Sequence, residues 1–180
     1  MNTSDQYLLQ VQQCKSIFLK KTSDYGTAWR VLRTISVIDQ IFIKAHRIRN
    51  IQEGVVQQVQ DDVHCEWQGI VNYGVIGLIQ LQLTCDDYSD IAVNEVNKMY
   101  DQQIAFALNT MLSKNNDYGE AWRSMSQQSL TDLILMKLLR VKQILLNNGQ
   151  TLVSEGIDAN YTDIINYAVF ALILQEESKN

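Results

Sequence analysis

The sequence predicts an all-α fold in which one helical unit is duplicated and its two copies pack as an internal pseudo-dimer. The chain of 180 residues contains no proline. Because proline interrupts helices but serves well in turns and edge strands, its absence favours helices. Apolar residues recur at three- and four-residue spacing, without the sustained two-residue alternation of strands. The motif Asp-Tyr-Gly-x-Ala-Trp-Arg occurs twice, at 24–30 and 117–123, so an offset of 93 residues (117 − 24) relates the two halves.

Each half is predicted to contain four helical segments in the same order. The first is amphipathic and ends at the repeated Asp-Tyr-Gly, where Gly26 and Gly119 can adopt the left-handed backbone that ends a helix. We expect Ser23, Asp24 and Asp117 to cap the next element, a short helical stretch that precedes a longer helix. A polar connector leads to the last helix. The predicted bounds of the long helices are 4–21, 36–51 and 66–83 in the first half and 88–112, 129–146 and 161–176 in the second.

The two copies, residues 1–84 and 85–180, are expected to pack around one shared core as a single globular unit. No Pro-, Gly- or Ser-rich linker separates them. The last helix of each copy carries a pair of small residues at i, i+3, which are Gly74 and Gly77 in the first copy. Such pairs let two helices approach closely, so we interpret them as packing rather than as a phosphate-binding glycine loop.

The composition limits the classes of function. A net charge of −5 argues against binding of a nucleic-acid duplex, for which a basic surface supplies most of the affinity. A small phosphate-bearing ligand needs only a local basic cluster. Cys14, Cys65 and Cys85 are odd in number and not closely paired, a pattern typical of reduced thiols. With no visible secretory signal and no apolar run of about 20 residues, we expect a soluble cytoplasmic protein that does not span a membrane.

The third helical segment of each copy carries an aspartate, a lysine and an arginine at the same spacing on one side of the helix. Their neighbours are apolar, so these charges border a core and would be costly there unless they are paired or face a ligand. A structural ion pair that ties helices together and a ligand site are both compatible with this pattern. The residues are Asp39, Lys44 and Arg47 in the first copy and Asp132, Lys137 and Arg140 in the second.

The last helix and its connector supply acceptors. Glu155, Asp163 and Asn166 form a polar stripe in the second copy, and Glu66 and Asn72 belong to a similar stripe in the first. Mg²⁺ is usually held by one or two protein carboxylates together with substrate phosphates. The predicted metal ligands are therefore Asp39, Glu66, Asp132, Glu155 and Asp163. Because Gly69 stands where the second copy has Asp163, the two sites cannot be equivalent.

The helix joints combine cations with aromatic rings. A base could stack on a ring while arginine or lysine binds phosphate oxygens. Tryptophan and tyrosine at matching helical positions are also common as core anchors, and the sequence leaves both interpretations open. The candidates are Lys114, Asp117, Tyr118, Trp122 and Arg123 in the second copy and Asp24, Tyr25 and Arg30 in the first.

A set of residues spread over the second half, and repeated in part in the first, resembles the nucleotide-modification-associated domain 1 family, a domain of unknown function. The set comprises residues 114–119, then Asp132, Lys137 and Arg140, then Glu155, Asp163 and 166–167. The resemblance implies an all-helical domain associated with nucleotides. It also implies a looser likeness to all-α nucleoside triphosphate pyrophosphatases, the MazG-type enzymes and dimeric dUTPases. Those enzymes hold Mg²⁺ with Glu-x-x-Glu and Glu-x-x-Asp pairs, which this sequence lacks in clear form.

Two functions are compatible with these observations. The first is nucleotide binding, with Mg²⁺-dependent pyrophosphohydrolysis of free or modified nucleoside triphosphates as the reaction that such a site would support. The alternative is a noncatalytic helical scaffold or interaction module, in which the repeated charges are ion pairs and the repeated aromatic rings are core. The expected partner is a small nucleotide, and a homodimer of the pseudo-dimer is compatible with the sequence.

Overall fold

A computed structural model of the protein describes residues 2–58, 62–83 and 87–179. Within these ranges the chain forms α-helices and short 3-10 helices and no strand. The α-helices are α1 (Thr3–Tyr25), α2 (Thr34–Gln52), α3 (Val63–Gln82), α4 (Val93–Tyr118), α5 (Gln127–Leu146) and α6 (Ile157–Glu177), and the 3-10 helices are Ala28–Val31 and Ala121–Ser124. The predicted all-α fold with a duplicated helical unit is confirmed.

The repeated Asp-Tyr-Gly ends the first helix of each repeat later than predicted. Asp24 and Asp117 lie in the last turn of α1 and α4, so the prediction that they cap the next element was wrong. The helices continue until Gly26 and Gly119, whose φ angles of 65° and 63° belong to a region that residues with a side chain rarely adopt. The backbone conformation of the glycine, rather than a polar cap, therefore sets the joint.

The segment before α4 is used for a tertiary contact rather than for a helix. Asp90 accepts hydrogen bonds from the backbone N–H and the hydroxyl of Thr27, at 2.6 and 2.7 Å. These bonds lower the pKa of Asp90 below its ordinary value. Because Asp90 is bonded to the first joint, α4 begins at Val93 rather than at the predicted residue 88.

Equivalent helices of the two repeats pack on one another. α3 packs on α6, α2 on α5 and α1 on α4, while α1 also contacts α6 and α4 contacts α3. This is the pattern of two units related by a two-fold axis. α6 lies at the centre, since every residue from 160 to 173 except Tyr167 is buried. A helix that is buried on all sides cannot be covered by its own repeat alone.

Two asparagines, Asn166 (buried) and Asn72 (half-buried), join the repeats at equivalent places. The hydroxyl of Tyr7 on α1 donates to Asn166 Oδ1 on α6 at 2.8 Å, and the hydroxyl of Tyr100 on α4 donates to Asn72 Oδ1 on α3 at 2.9 Å. Each asparagine also donates to a backbone carbonyl on the first helix of its own repeat. Asn166 Nδ2 donates to Ala107 on α4 at 3.1 Å, and Asn72 Nδ2 donates to Cys14 on α1 at 3.0 Å. The same bonds thus occur twice and cross the two-fold axis in both directions.

Exposed ion pairs repeat this symmetry at the α2–α5 contact. Asp39 on α2 pairs with Lys142 on α5 at 2.7 Å, and Asp132 on α5 lies 3.8 Å from Arg49 on α2. Both members of the second pair lie 93 residues from their counterparts in the first, so the pairs are reciprocal. Ion pairs on a surface contribute about 0–1 kcal/mol each, so they orient the repeats more than they stabilise them.

Small residues let α3 approach α6 closely, as predicted. A Cβ added at Gly77 would lie 2.4 Å from the ring of Tyr161, and one added at Gly74 would lie 2.7 Å from Ile165. Neither distance is compatible with a normal van der Waals contact. The glycines therefore serve the packing of the two central helices.

None of the helices in the described ranges is both long and apolar enough to cross a membrane. The thiol of Cys14 is buried and that of Cys65 is exposed, and both are free. Burial raises the pKa of the Cys14 thiol to about 12. Cys85, the third cysteine for which a reduced thiol is predicted, lies outside the described residues.

Gly77→Ala should destabilise the protein by about 1–3 kcal/mol relative to Gly69→Ala, because overpacking forces a rigid ring to move. The two glycines lie on the same helix, so the gain in helix propensity is shared. At Gly69 an added Cβ meets only the flexible end of Lys44. Urea unfolding of both variants measures the difference, and equal stabilities would contradict the close α3–α6 contact.

Candidate functional site

Each repeat contains a cavity in the gap between its first helix, its 3-10 helix and its last helix. The first pocket has a volume of about 610 Å³ and the second about 130 Å³. The first pocket is lined by Ile17, Phe18, Lys21, Thr22, Tyr25, Gly26, Ala28, Trp29, Leu32, Gln40, Lys44, Cys65, Glu66, Gln68, Gly69, Asn72, Tyr73 and Ile76. The second pocket is lined by Met111, Lys114, Asn115, Tyr118, Gly119, Ala121, Trp122, Asp163, Asn166, Tyr167 and Phe170. Every residue of the second set lies 93 or 94 positions after a residue of the first, so the pockets occupy equivalent places in the two repeats, although their linings differ.

The walls of the first pocket are aromatic. Phe18, Trp29 and Tyr73 line it from α1, the 3-10 helix and α3, and Tyr25 lies exposed at its rim. Burial, and then the charges of Tyr73 and Asp24, raise the pKa of Tyr25 above its ordinary value. Trp29 is buried, and its indole N–H has no hydrogen-bond partner in the described structure. The pocket therefore offers ring faces and one unused donor.

The cations of the first pocket are arranged around a single buried carboxylate. Lys44 Nζ lies 3.1 Å from Glu66 Oε2, and Arg47 pairs with the other oxygen of Glu66. Lys21 is exposed at the pocket and makes no hydrogen bond or ion pair with the described residues. The alkyl chain of Lys44 lies against Gly69, since a Cβ at that position would be 2.7 Å from Lys44 Cε. Lys44 and Arg47 thus share Glu66, while Lys21 is paired with none of the described residues, and this arrangement favours an anion.

The second pocket places its carboxylate differently. Asp163 is buried, and its two oxygens each lie 2.6 Å from an ammonium nitrogen, Oδ1 from Lys114 and Oδ2 from Lys137. Burial by itself lowers the pKa of Lys114, but the hydrogen bond and charge of Asp163, together with the charges of Tyr167 and Glu155, raise it overall. Burial and the charge of Asp163 also raise the pKa of Tyr167. The two lysines are held by the protein itself.

An aromatic ring fills the other end of the second pocket. Phe170 stacks on Trp122 with ring centroids 4.2 Å apart and an interplanar angle of 6°. The corresponding residue of the first repeat is Ile76, and no aromatic ring stacks on Trp29 in the described structure. This difference and the position of the carboxylate explain why the second pocket is much smaller.

The carboxylate is displaced by one helical turn between the repeats. Glu66 corresponds to Asn160, and Gly69 corresponds to Asp163, so each repeat keeps one carboxylate of the two positions. Without a carboxylate at position 160, Arg140 makes no hydrogen bond or salt bridge with the described residues. Its charge acts on Tyr167. The duplicated cations therefore have different partners in the two repeats.

The structure brings some predicted residues to the pockets and leaves others elsewhere. Those at the first pocket are Tyr25, Lys44, Glu66 and Asn72, with Arg47 behind Glu66, and those at the second are Lys114, Tyr118, Asp163 and Asn166, with Lys137 behind Asp163. In both Asn72 and Asn166, the side-chain oxygen and the side-chain nitrogen already make hydrogen bonds within the protein. Their geometry fits a structural role.

Other predicted residues lie away from the pockets. Arg123 pairs with Glu120 and Glu177, and its guanidinium carbon lies over the face of the Trp122 ring, 4.4 Å from the ring centroid. Arg30 is buried and donates to the carbonyl of Asp87. The remaining predicted residues outside both pockets are Asp24, Asp39, Asp117, Asp132, Arg140 and Glu155, all of them exposed except Asp39, which is half-buried.

The predicted metal-binding carboxylates are not gathered into one cluster among the described residues. Asp39 and Asp132 take part in the reciprocal pairs between α2 and α5, and Asp163 and Glu66 have both oxygens bonded to cations. Among the described residues, no group of three metal-ligating side chains comes together. A divalent cation would have to displace lysine or arginine from each buried carboxylate, and Mg²⁺ binding by the predicted residues stays a prediction.

Sequence reasoning missed several residues of the first pocket. Lys21 lies 93 residues before Lys114, so the repeat offset alone identifies it as a candidate. Trp29 is the counterpart of Trp122, and the same offset assigns it. The sequence already pointed to Lys44 and to the exchange of Asp163 for Gly69, but it did not show that the alkyl chain of Lys44 lies against Gly69.

Fold and pockets together define a class of protein, a tandem all-α domain whose two copies form one helical bundle, each with a pocket beside its first joint. The chain belongs to the nucleotide modification associated domain 1 family. The family model matches twice, at residues 21–81 and 114–174, and the matches include most residues of both pockets. Searches of curated proteins and of solved structures gave no match to this chain. The likeness to all-α pyrophosphatases stays a prediction.

Asp163→Ala should lower the free energy of unfolding by about 3–5 kcal/mol, because Lys137 would remain buried without a partner. Asp117→Ala is the matched control, since Asp117 is exposed on the same repeat and should change stability by less than about 0.5 kcal/mol. Urea denaturation followed by circular dichroism measures both. A loss below about 1 kcal/mol in Asp163→Ala would show that the pair is not buried in solution.

Proposed function

We propose that the protein binds a nucleotide in the first pocket, with the base against the aromatic wall and the phosphates at Lys21 and Lys44. The observation that carries this proposal is the coexistence of stacking surface and unbalanced positive charge in one cavity. Its volume of about 610 Å³ falls within the usual range of small-molecule sites, about 300–1,000 Å³. The second pocket falls below that range.

The electrostatics of the pocket support a phosphate-bearing ligand. The protein carries a net charge of −5, yet the described residues that line this pocket include two cations, Lys21 and Lys44, and one carboxylate, Glu66. Charge-assisted hydrogen bonds from ammonium groups to phosphate oxygens are shorter and stronger than neutral ones. A local excess of cations on an acidic protein is thus the feature that a small anion would recognise.

The polar groups of the wall support a base rather than a simple organic anion. The side chains of Gln40 and Gln68 line the pocket, and carboxamides can pair with the donors and acceptors on the edge of a base. Trp29 adds an unpartnered indole N–H and a ring face. Which base is bound would be decided by these groups.

Binding, rather than hydrolysis, is the function that this arrangement supports. The predicted Mg²⁺-dependent pyrophosphohydrolase activity stays a prediction, because the buried carboxylates are already neutralised by lysine and arginine. Release of pyrophosphate from nucleoside triphosphates in the presence of Mg²⁺ would establish it. The scaffold alternative shares the reciprocal ion pairs with our proposal but predicts that no nucleotide binds.

Calorimetric titration with nucleoside mono-, di- and triphosphates, with and without Mg²⁺, tests the proposal. We expect binding of one nucleotide per chain. Alkylation of Cys65 provides a second measurement, because this thiol is exposed and lines the first pocket, whereas Cys14 is buried. A bound nucleotide should slow alkylation at Cys65, measured by peptide mass spectrometry. No heat and no protection with any nucleotide would refute the proposal.

Lys21→Ala should weaken nucleotide binding about 10-fold or more, because a charge-assisted hydrogen bond to phosphate is lost. Lys20→Ala is the matched control: Lys20 neighbours Lys21 on α1, carries the same charge, is exposed and does not line the pocket. Its affinity should remain within about two-fold of the wild type. Equal losses in both variants would assign the effect to overall charge rather than to the pocket.

A further inference from the structure

We propose that the second pocket is a copy of the ligand site that two of its own side chains fill, Asp163 in the place of a phosphate and Phe170 in the place of a base. This inference rests on the proposed nucleotide site in the first pocket. It also states where the two ends of the nucleotide lie in that pocket.

Asp163 has the contacts that a phosphate would have. It is an anion with two oxygens, each bonded by a different ammonium group at 2.6 Å, from Lys114 and Lys137. The two lysines come from different helices, α4 and α5, and converge on one point. Lysine groups that converge in this way bind phosphate oxygens as well as carboxylates.

The first repeat keeps both lysines and lacks the anion. Lys21 and Lys44 correspond to Lys114 and Lys137, and Gly69 takes the place of Asp163. Lys44 turns instead to Glu66 at a longer distance of 3.1 Å, and Lys21 makes no ion pair within the described ranges. The anion of a ligand beside Gly69 would therefore pair with Lys21 and Lys44, as Asp163 pairs with Lys114 and Lys137 in the second repeat.

Phe170 has the contact that a base would have. Its ring lies nearly parallel to that of Trp122, at a centroid distance typical of stacked aromatic rings. In the first repeat Ile76 stands at this position, and the ring of Trp29 lines an open cavity. A base stacked on Trp29 would take the place of the phenyl ring.

The two filling residues share one face of one helix. Asp163 and Phe170 are seven residues apart on α6, which is two helical turns and about 10 Å. Both line the second pocket. This spacing separates an anion from a stacked ring by a distance that leaves room for a sugar, so the pair mimics the two ends of a single nucleotide.

Exchange of the filling residues for those of the first repeat tests the inference. The opened variant carries Asp163→Gly and Phe170→Ile, together with Asn160→Glu, which gives Lys137 and Arg140 the partner that Glu66 provides in the first repeat. We expect calorimetry to show two nucleotides bound per chain instead of one. The reverse variant, Gly69→Asp with Ile76→Phe and Glu66→Asn, should bind none. An opened variant that folds and still binds one nucleotide, or a reverse variant with unchanged affinity, would overturn the proposal.

A thiol probe separates this inference from the proposed function. Ala159 is half-buried and corresponds to Cys65, so Ala159→Cys places a thiol beside the second pocket. Its alkylation rate by N-ethylmaleimide should rise at least several-fold in the opened variant, whether or not any nucleotide binds. A nucleotide should protect this thiol only in the opened variant.

The outcomes are distinguishable. Faster alkylation without nucleotide protection at either position 65 or 159 would refute nucleotide binding and the mimicry together, and would leave only the occlusion of the second pocket. An unchanged alkylation rate, in a variant whose circular dichroism matches the wild type, would refute the occlusion itself. If the opened variant does not fold, the reverse variant decides, because it changes the other repeat.

Discussion

The contact between the two last helices is the constraint on which the rest of the molecule depends. α6 is buried on nearly every side, and Gly77 on α3 allows the ring of Tyr161 to lie directly on its backbone. A single repeat offers no means of covering such a helix, because its own first and third helices reach only two of its sides. Duplication supplies the missing side. The hydrogen bonds from Tyr7 and Tyr100 to the asparagines of the opposite repeat then fix the register of the two copies.

The same packing creates the pockets. α1 packs on α3, α4 and α6, whereas α2 packs on α3 and α5, and the gap between α1 and α2 beside α3 forms the first pocket. The glycine joint at Gly26 directs the chain into a 3-10 helix that closes one end of this gap with Trp29. An identical arrangement at Gly119 forms the second pocket. The pockets are therefore consequences of the repeat architecture, and their contents were free to diverge once the two copies shared a core.

The sequence allowed the fold to be predicted in large part. The helix period and the absence of proline indicate local structure, and the repeat offset shows that the same helical unit occurs twice. It did not allow the polar residues to be assigned. Asp132 and Lys137 were assigned to one side of α5, but they lie about 140° apart on a helical wheel. Asp132 is exposed and meets Arg49 across the two-fold axis, whereas Lys137 is buried and meets Asp163 within the repeat. A helical wheel gives direction but not the identity of the neighbouring helix. Duplication also does not distinguish a residue kept for a ligand from one kept for the symmetric interface, as Asn166 shows.

The two pockets differ in how the charges of their lysines are neutralised. A buried ammonium group is costly without an anion nearby, and the second repeat meets this requirement with Asp163, held tightly enough to raise the pKa of Lys114 despite the opposing effect of burial. The first repeat meets it only in part, since Glu66 serves Lys44 and Arg47 while Lys21 extends to solvent beside an open cavity. The carboxylate lies one turn apart on the last helices of the two repeats, so Asp163 pairs with both lysines of the second repeat, while Lys21 of the first repeat pairs with none of the described residues. Because lysines stand at equivalent positions in both repeats, the nucleotide-binding proposal reduces to the source of the anion, which is the chain itself in the second pocket and a ligand in the first.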